Sequence, residues 1–357
     1  MLRLEKRPNP SKFWGFASPI LAVIATMVAG GIMFMILDKD PIEAIRTIFW
    51  DPLFNTQFAS YSRPQLLVKA APLILIAIGL AMGFRAGIWN IGAEGQYIMG
   101  AIVGGGVGLA FYPMDAWWIF PLMVICGGLG GVIWAMIPAI LRAKFNTNEI
   151  LVSLLLVYVA QNILASMSLG LLRNPEGQGF PGSRNFKDFP AAHNGYLIPD
   201  WGVHWGVIFA VIAVISAWFI MRYHVYGFRI RLMGDSPRAA TFAGVKPGRM
   251  IILSFVVSGG LAGLAGMFEV TGPSGQITES FNVGYGFTAI IVAFLGRLSP
   301  IGILLGGLLL GLTYIGGELA QLMLGLPGAA IQAFQGMLLF FLLSADMFTN
   351  YRIRRAK

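Results

Sequence analysis

Residues 83–100 read GFRAGIWNIGAEGQYIMG and set two amides and a carboxylate, beside Arg85, between apolar spans. Asn90, Glu94 and Gln96 are the groups with chemistry to offer, among Gly83, Gly87, Gly92 and Gly95. Hydrocarbon supplies no water to polar groups. Gly-broken backbone at that depth therefore belongs where it packs against protein or lines a wet cavity. A carboxylate at membrane depth costs roughly 2.5–3.5 kcal/mol on insertion scales, so its default reading is functional. The segment points to a transport path rather than a passive anchor.

Other chemistries fit less well. No G-x-x-x-x-G-K-[ST] loop occurs, and GGGVG at 104–108 lacks the lysine, so any ATP-driven function needs a second polypeptide. GPSG at 272–275 looks like the nucleophile motif of rhomboid-type proteases, but a serine nucleophile needs a base and no histidine follows His224. The turn-forming reading is preferred. Glu94, Glu149, Glu269, Glu318 and Asp346 are the acids at or near apolar spans, and Glu94 is the one placed at depth. A secondary transporter with Glu94 as an ion-coupled site is the alternative to carry. Cys126 is the sole cysteine, and His193, His204 and His224 are scattered, so neither a disulfide nor a metal site is expected.

The elements that must hold these residues are membrane helices. The chain is 57% hydrophobic and 11% charged, against about 25% charged in soluble domains. Its mean hydropathy is +0.73, and its pI near 9.8 reflects basic residues lying between apolar spans. Membrane topology explains that charge better than nucleic acid does. The fold class is all-α and polytopic. About ten transmembrane helices are expected, at 14–37, 64–84, 96–112, 117–140, 150–172, 203–221, 250–271, 285–297, 301–324 and 327–347. The eighth is short and preceded by Gly284 and Gly286, as a broken or re-entrant helix would be. The apolar run at 13–37 exceeds the roughly 7–15-residue core of a signal peptide and is read as a retained span.

Most of the 25 basic residues fall on one side if both termini are cytoplasmic, which fixes the expected orientation. The expected layout is a single transmembrane domain over 1–357. Residues 1–13, 222–249 and 348–357 lie inside, and 173–202 lies outside. The outer segment is rich in Gly, Pro and Asn, which make turns. In the inner loop Ser236 can cap a short helix over 237–243 with Pro237 at its first position, and Gly244 can end it in a left-handed conformation. Four-residue glycine steps recur at Gly100, Gly104 and Gly108, at Gly127 and Gly131, and at Gly259 and Gly263. They permit close helix contact. Gly-rich halves at 64–172 and 250–347 suggest an inverted repeat.

GIWNIGAEGQYIMGA, FNTNEILVSLLLVYVAQN, DSPRAATFAGV and GYGFTAIIVAFLGRLSPIGILLGGLLLG occur in this order. Together they resemble ABC-importer permeases of the type II branched-chain amino acid/ribose class, most closely the nucleoside and simple-sugar subfamily. The resemblance implies a non-catalytic permease subunit in the plasma (inner) membrane of a bacterium. It would work with cytoplasmic ABC ATPases that bind ATP and magnesium, a second permease chain (identical or paralogous) and an extracytoplasmic binding protein. No cofactor is expected on this chain. Residues 234–245 match the family's coupling segment, so Asp235, Pro237, Arg238, Ala239, Ala240, Ala243 and Gly244 would dock in the ATPase. The acidic first residue of the EAA pattern of other permease classes is missing. The implied cavity would draw on Asn90, Glu94, Gln96, Asn148, Gln161 and Asn162, whose amides can bond a neutral hydroxylated solute. Trp89 and Phe287 would stack on a base.

Overall fold

The computed structural model describes residues 2–7 and 11–355. Parts of the expected cytoplasmic ends, at 1, 8–10, 356 and 357, lie outside the described residues. The chain divides into two compact units, Met1–Arg63 with Leu309–Lys357, and Pro64–Leu308. This division does not follow the two glycine-rich halves of the sequence.

In the first unit, strand β1 (Leu2–Lys6) pairs antiparallel with β2 (Tyr351–Arg355), joining the two ends of the chain. Helix α1 (Lys12–Ile36) starts at Ser11, whose hydroxyl accepts the Trp14 N–H at 3.3 Å. Helix α2 (Pro41–Phe49) has Pro41 in its first turn and Asp40 as its cap, accepting from Ile42 and Glu43 at 2.7 and 2.9 Å. The short α3 (Asp51–Phe54) follows. Both fill the stretch between the first two expected spans. Their core is Phe34, Ala44, Ile48, Ala320, Leu326, Ile331 and Phe334, with Phe34 stacked on Phe334.

The second unit begins within α4 (Ala59–Arg85). Leu73, Leu75, Ile76, Ile78 and Leu80 of α4 are all buried, as expected of a helix apolar on every face. It continues through α5 (Ala93–Ala110), α6 (Ile119–Phe145), α7 (Glu149–Leu169) and α8 (Trp205–Tyr223). Then come α9 (Val225–Asp235), α10 (Pro237–Phe242), α11 (Pro247–Thr271) and α12 (Tyr285–Leu295). Helix α13 (Pro300–Leu324) crosses into the first unit, where α14 (Gly328–Asn350) packs along α1.

Each of the ten expected spans corresponds to a helix. By length and composition, eight helices among the described residues can cross a membrane. The other two are α5, whose first turn carries Glu94 and Gln96, and α12. Eleven residues extend α12 only roughly 16 Å, too short to cross alone.

The glycine steps act as their spacing predicts. A methyl group on Gly100 would collide with the backbone of Gly263, and one on Gly131 with that of Gly259. Helices α5, α6 and α11 therefore meet backbone to backbone, and this trio is the most closely packed part of the unit. The outer segment makes 3-10 turns at Phe186–Asp188, Pro190–Ala192 and Pro199–Trp201. It is stitched to the α11–α12 connection: Phe186 N–H donates to Gly275 O at 2.8 Å and Asn194 N–H to Thr271 O at 2.9 Å.

Candidate functional site

Between Arg85 and Ala93 the helix unwinds, and Gly87 takes φ +74, a left-handed conformation that disfavours larger residues. Gly92 lies so close to α7 that an added Cβ would meet Ser153 O at 2.7 Å. The polar residues of this turn face one another. Asn90 Nδ2 donates to Gln96 Oε1 and to Ser258 Oγ, both at 2.8 Å. Gln96 Nε2 donates back to Asn90 Oδ1 at 3.1 Å, and Gly92 N–H donates to the same oxygen at 3.0 Å. Ser153 Oγ accepts the Ile91 N–H at 3.2 Å. The unwound backbone and its amides thus satisfy each other across α5, α7 and α11.

Glu94 is fully buried. Its Oε2 accepts the Gly286 N–H, and the backbone of Phe287 and Gly284 bonds to the same carboxylate. Residue Gly284, at φ +85, opens α12 with no side-chain cap of its own. The carboxylate of α5 supplies that cap from another helix, where the orphan N–H groups and the positive end of the dipole favour an anion.

The residues expected to line the cavity fall into buried, helix-bound and open groups. Asn90, Glu94 and Gln96 are 4%, 0% and 1% exposed and lie inside the protein. Amides in a low-dielectric interior are stable when paired, and these are paired. Asn148 caps α7, accepting from Ile150 and Leu151, so its oxygen is engaged in the helix. Asn162 Nδ2 donates to Tyr158 O at 2.7 Å on the same helix, and Gln161 is half-buried beside it. Trp89 and Phe287 remain open, at 37% and 38% exposure. Trp89 stacks on Phe294 with centroids 5.9 Å apart, and Phe84 completes the cluster at 5.0 Å from Trp89 and 5.4 Å from Phe294. Phe287 and Phe294 are seven residues apart on α12 and share a helix face. The sequence reading missed Ser153, Ser258, Phe84 and Phe294; their polar or aromatic character was visible, but not their proximity.

The inner loop folds as its residues predict, with an addition. Ser236 Oγ accepts the Ala239 N–H at 3.4 Å, Pro237 opens α10, Ala243 ends it and Gly244 has φ +80. The unanticipated α9 precedes it, and Gly234 of α9 lies against the Arg85 carbonyl. Asp235, Pro237, Arg238, Ala239, Ala243 and Gly244 are exposed. Ala240 is not: it is fully buried, so its methyl cannot present itself to a partner. It belongs to a buried core cluster that includes Ala86 and Ile88 of the unwound turn and Ala139, Met250 and Phe255. Phe242, overlooked in the sequence, projects at 94% exposure. At 272–275, Ser274 Oγ donates to Gln276 O at 3.1 Å, which accords with a turn.

Residues 63–343 match the family model described as branched-chain amino acid transport system / permease component. The glucose ABC transporter permease protein TsgB13 of Haloferax volcanii is 33% identical, over 99% of this chain and 93% of that one. The guanosine ABC transporter permease protein NupP of Bacillus subtilis is 28% identical, over 92% of each chain. The nucleoside ABC transporter permease protein NupB of Lactococcus lactis is 30% identical, over 91% of this chain and 89% of that one. A family of permease components disfavours a stand-alone carrier coupled to ions through Glu94. The chain therefore belongs to the branched-chain amino acid transport system permease family, and it is a multi-pass membrane protein serving as the permease subunit of an ABC importer.

Proposed function

We propose that the chain carries a nucleoside or simple sugar across the bacterial plasma membrane, driven by ATP bound with magnesium and hydrolysed in separate cytoplasmic ATPase subunits. A second permease chain, identical or paralogous, completes the pathway, and an extracytoplasmic binding protein delivers the solute. Relatives that serve glucose, guanosine and nucleosides support that substrate class. The observation that carries the mechanism is the shared core of Ala240, Ala86 and Ile88.

The exposed face of α10, with Arg238, Ala239 and Phe242, docks on the ATPase. The opposite face is packed into the unwound turn. A close-packed core switches between discrete packings rather than deforming continuously, so displacing α10 drags the turn with it. Trp89 rides on that turn and stacks on Phe294 of α12, while Glu94 holds the other end of α12. Movement at the cytoplasmic surface is thereby transmitted to the aromatic face of α12. Aromatic faces suit the rings of a base or the apolar face of a sugar.

Affinity purification of the tagged chain from its native membrane, with mass spectrometry of copurifying chains, tests the assembly. An ATPase with a phosphate-binding loop is expected; a partner-free oligomer active alone would contradict the proposal. Screening the copurified or adjacent binding protein against nucleosides and sugars then tests the substrate class. Binding of neither would overturn it.

A further inference from the structure

A basic cup opens beside the inner loop, bounded by Tyr226 and Arg229 of α9 and by Lys246 and Arg249 at the start of α11. Its volume is about 420 Å³, and no acidic residue lines it. All three basic side chains are exposed. The guanidinium of Arg229 lies 5.6 Å from the Tyr226 ring centre, which holds it at the rim. Helix α11 also begins here without a side-chain cap, so its positive end adds to the field.

The floor of the cup is apolar: Ile252, Leu253 and Val256 of α11. Val256 also lines a second, larger groove of about 640 Å³ between α4, α6, α8 and α11. That groove is walled almost wholly by aliphatic side chains, including Ile220, Leu261 and Leu264. At the end of α8, whose Ile220 lines the groove, Arg222 lies 5.6 Å from the ring centres of Trp218 and Tyr223. Aromatic and cationic residues at a helix end mark the headgroup level of a bilayer. The cationic cup and the aliphatic groove share Val256 as a wall, so two surfaces of opposite chemistry adjoin. A soluble partner could meet the cup but has no means of filling the groove.

We infer that this is a binding site for an anionic phospholipid, with its headgroup phosphate among Arg229, Lys246 and Arg249 and an acyl chain in the α6–α8–α11 groove. The inference requires only that the 222–249 loop lie at a membrane surface; it is independent of the docking role given to α10. A bound lipid would brace α9 against α11, next to the coupling segment.

The test is native mass spectrometry of the full chain, purified in mild detergent with its partners, after addition of phosphatidylglycerol or phosphatidylcholine. Phosphatidylglycerol should be retained at least about tenfold better. Each basic residue near a membrane surface contributes a factor of about five, so R229Q/K246Q/R249Q should weaken retention on the order of 100-fold. Val256→Trp, which blocks the passage from cup to groove and leaves the charges in place, should weaken it as well. Equal retention of the two lipids, unchanged binding by the triple variant, or unchanged binding by Val256→Trp would each overturn the site. So would displacement of the lipid by excess inorganic phosphate alone, which would assign the cup to a free anion. ATPase copurification is scored in the same samples. Failure of the ATPase to copurify with the unsubstituted chain while phosphatidylglycerol is bound would count against the docking proposal and leave this one standing.

Discussion

The unwound turn at 86–92 and the short helix α10 are both interruptions of a helical chain, yet they use polar and apolar residues in opposite ways. In the turn, the polar side chains point inward and bond one another, while the large ring of Trp89 stays open. On α10, the small apolar Ala240 points inward and the large apolar Phe242 points out. Surroundings explain the contrast. Polar groups within a membrane domain find partners only in the protein, so they turn toward each other. At an aqueous surface the apolar residue is the one driven inward, and Phe242 is left outside as the ring offered to the docking surface proposed for α10.

Substitutions can break this contrast, beginning with the largest expected loss of stability. Ala240→Asp would bury an unpaired charge among Ala86, Ile88 and Phe255. It should cost on the order of 3–5 kcal/mol, seen as lost accumulation of the folded chain. Wild-type accumulation would show that Ala240 is not buried there. Asn90→Ala would strip partners from Gln96 and Ser258 and should cost about 1–3 kcal/mol, read as a lower thermal midpoint in detergent. If the midpoint holds but uptake falls, Asn90 faces solute after all.

Phe242→Ala should change stability by no more than about 0.5 kcal/mol, because so exposed a ring packs little. Uptake should nevertheless fall, and normal uptake would remove Phe242 from the docking surface. The smallest effect belongs to the outer segment, which serves as a control. Burial, and then the charge of Lys187, hold His193 below the usual histidine range. On acidification through the ordinary histidine range near pH 6.5, the unfolded chain takes up the proton before the native one. Stability is therefore present above that pH and declines below it. His193→Gln should flatten this acid limb slightly in a thermal-shift series; an unchanged limb would clear His193.

Much of this architecture was legible in the residues. Apolar run length located all ten apolar segments, the short α12 included, and the four-residue glycine steps located the α5–α6–α11 contacts. Cap chemistry gave α10 to within one residue, because Ser236, Pro237 and Gly244 act locally. What was not legible depends on distant partners. Ser258 lies 168 residues from Asn90, and Gly286 lies 192 from Glu94, so composition alone does not reveal that these groups are paired. Direction was the other hidden quantity. Nothing in the string PRAATF distinguishes the inward alanine from its neighbours until α10 is folded into the core that includes Ile88 and Phe255.

The central claim is that α10 joins the ATPase to the unwound turn. The most direct measurement places a photo-cross-linking residue at position 242 of the chain purified with its ATPase. The account predicts a cross-link to the ATPase whose yield changes between ATP-bound and nucleotide-free states. An intact complex with no cross-link at 242 in either state would contradict it.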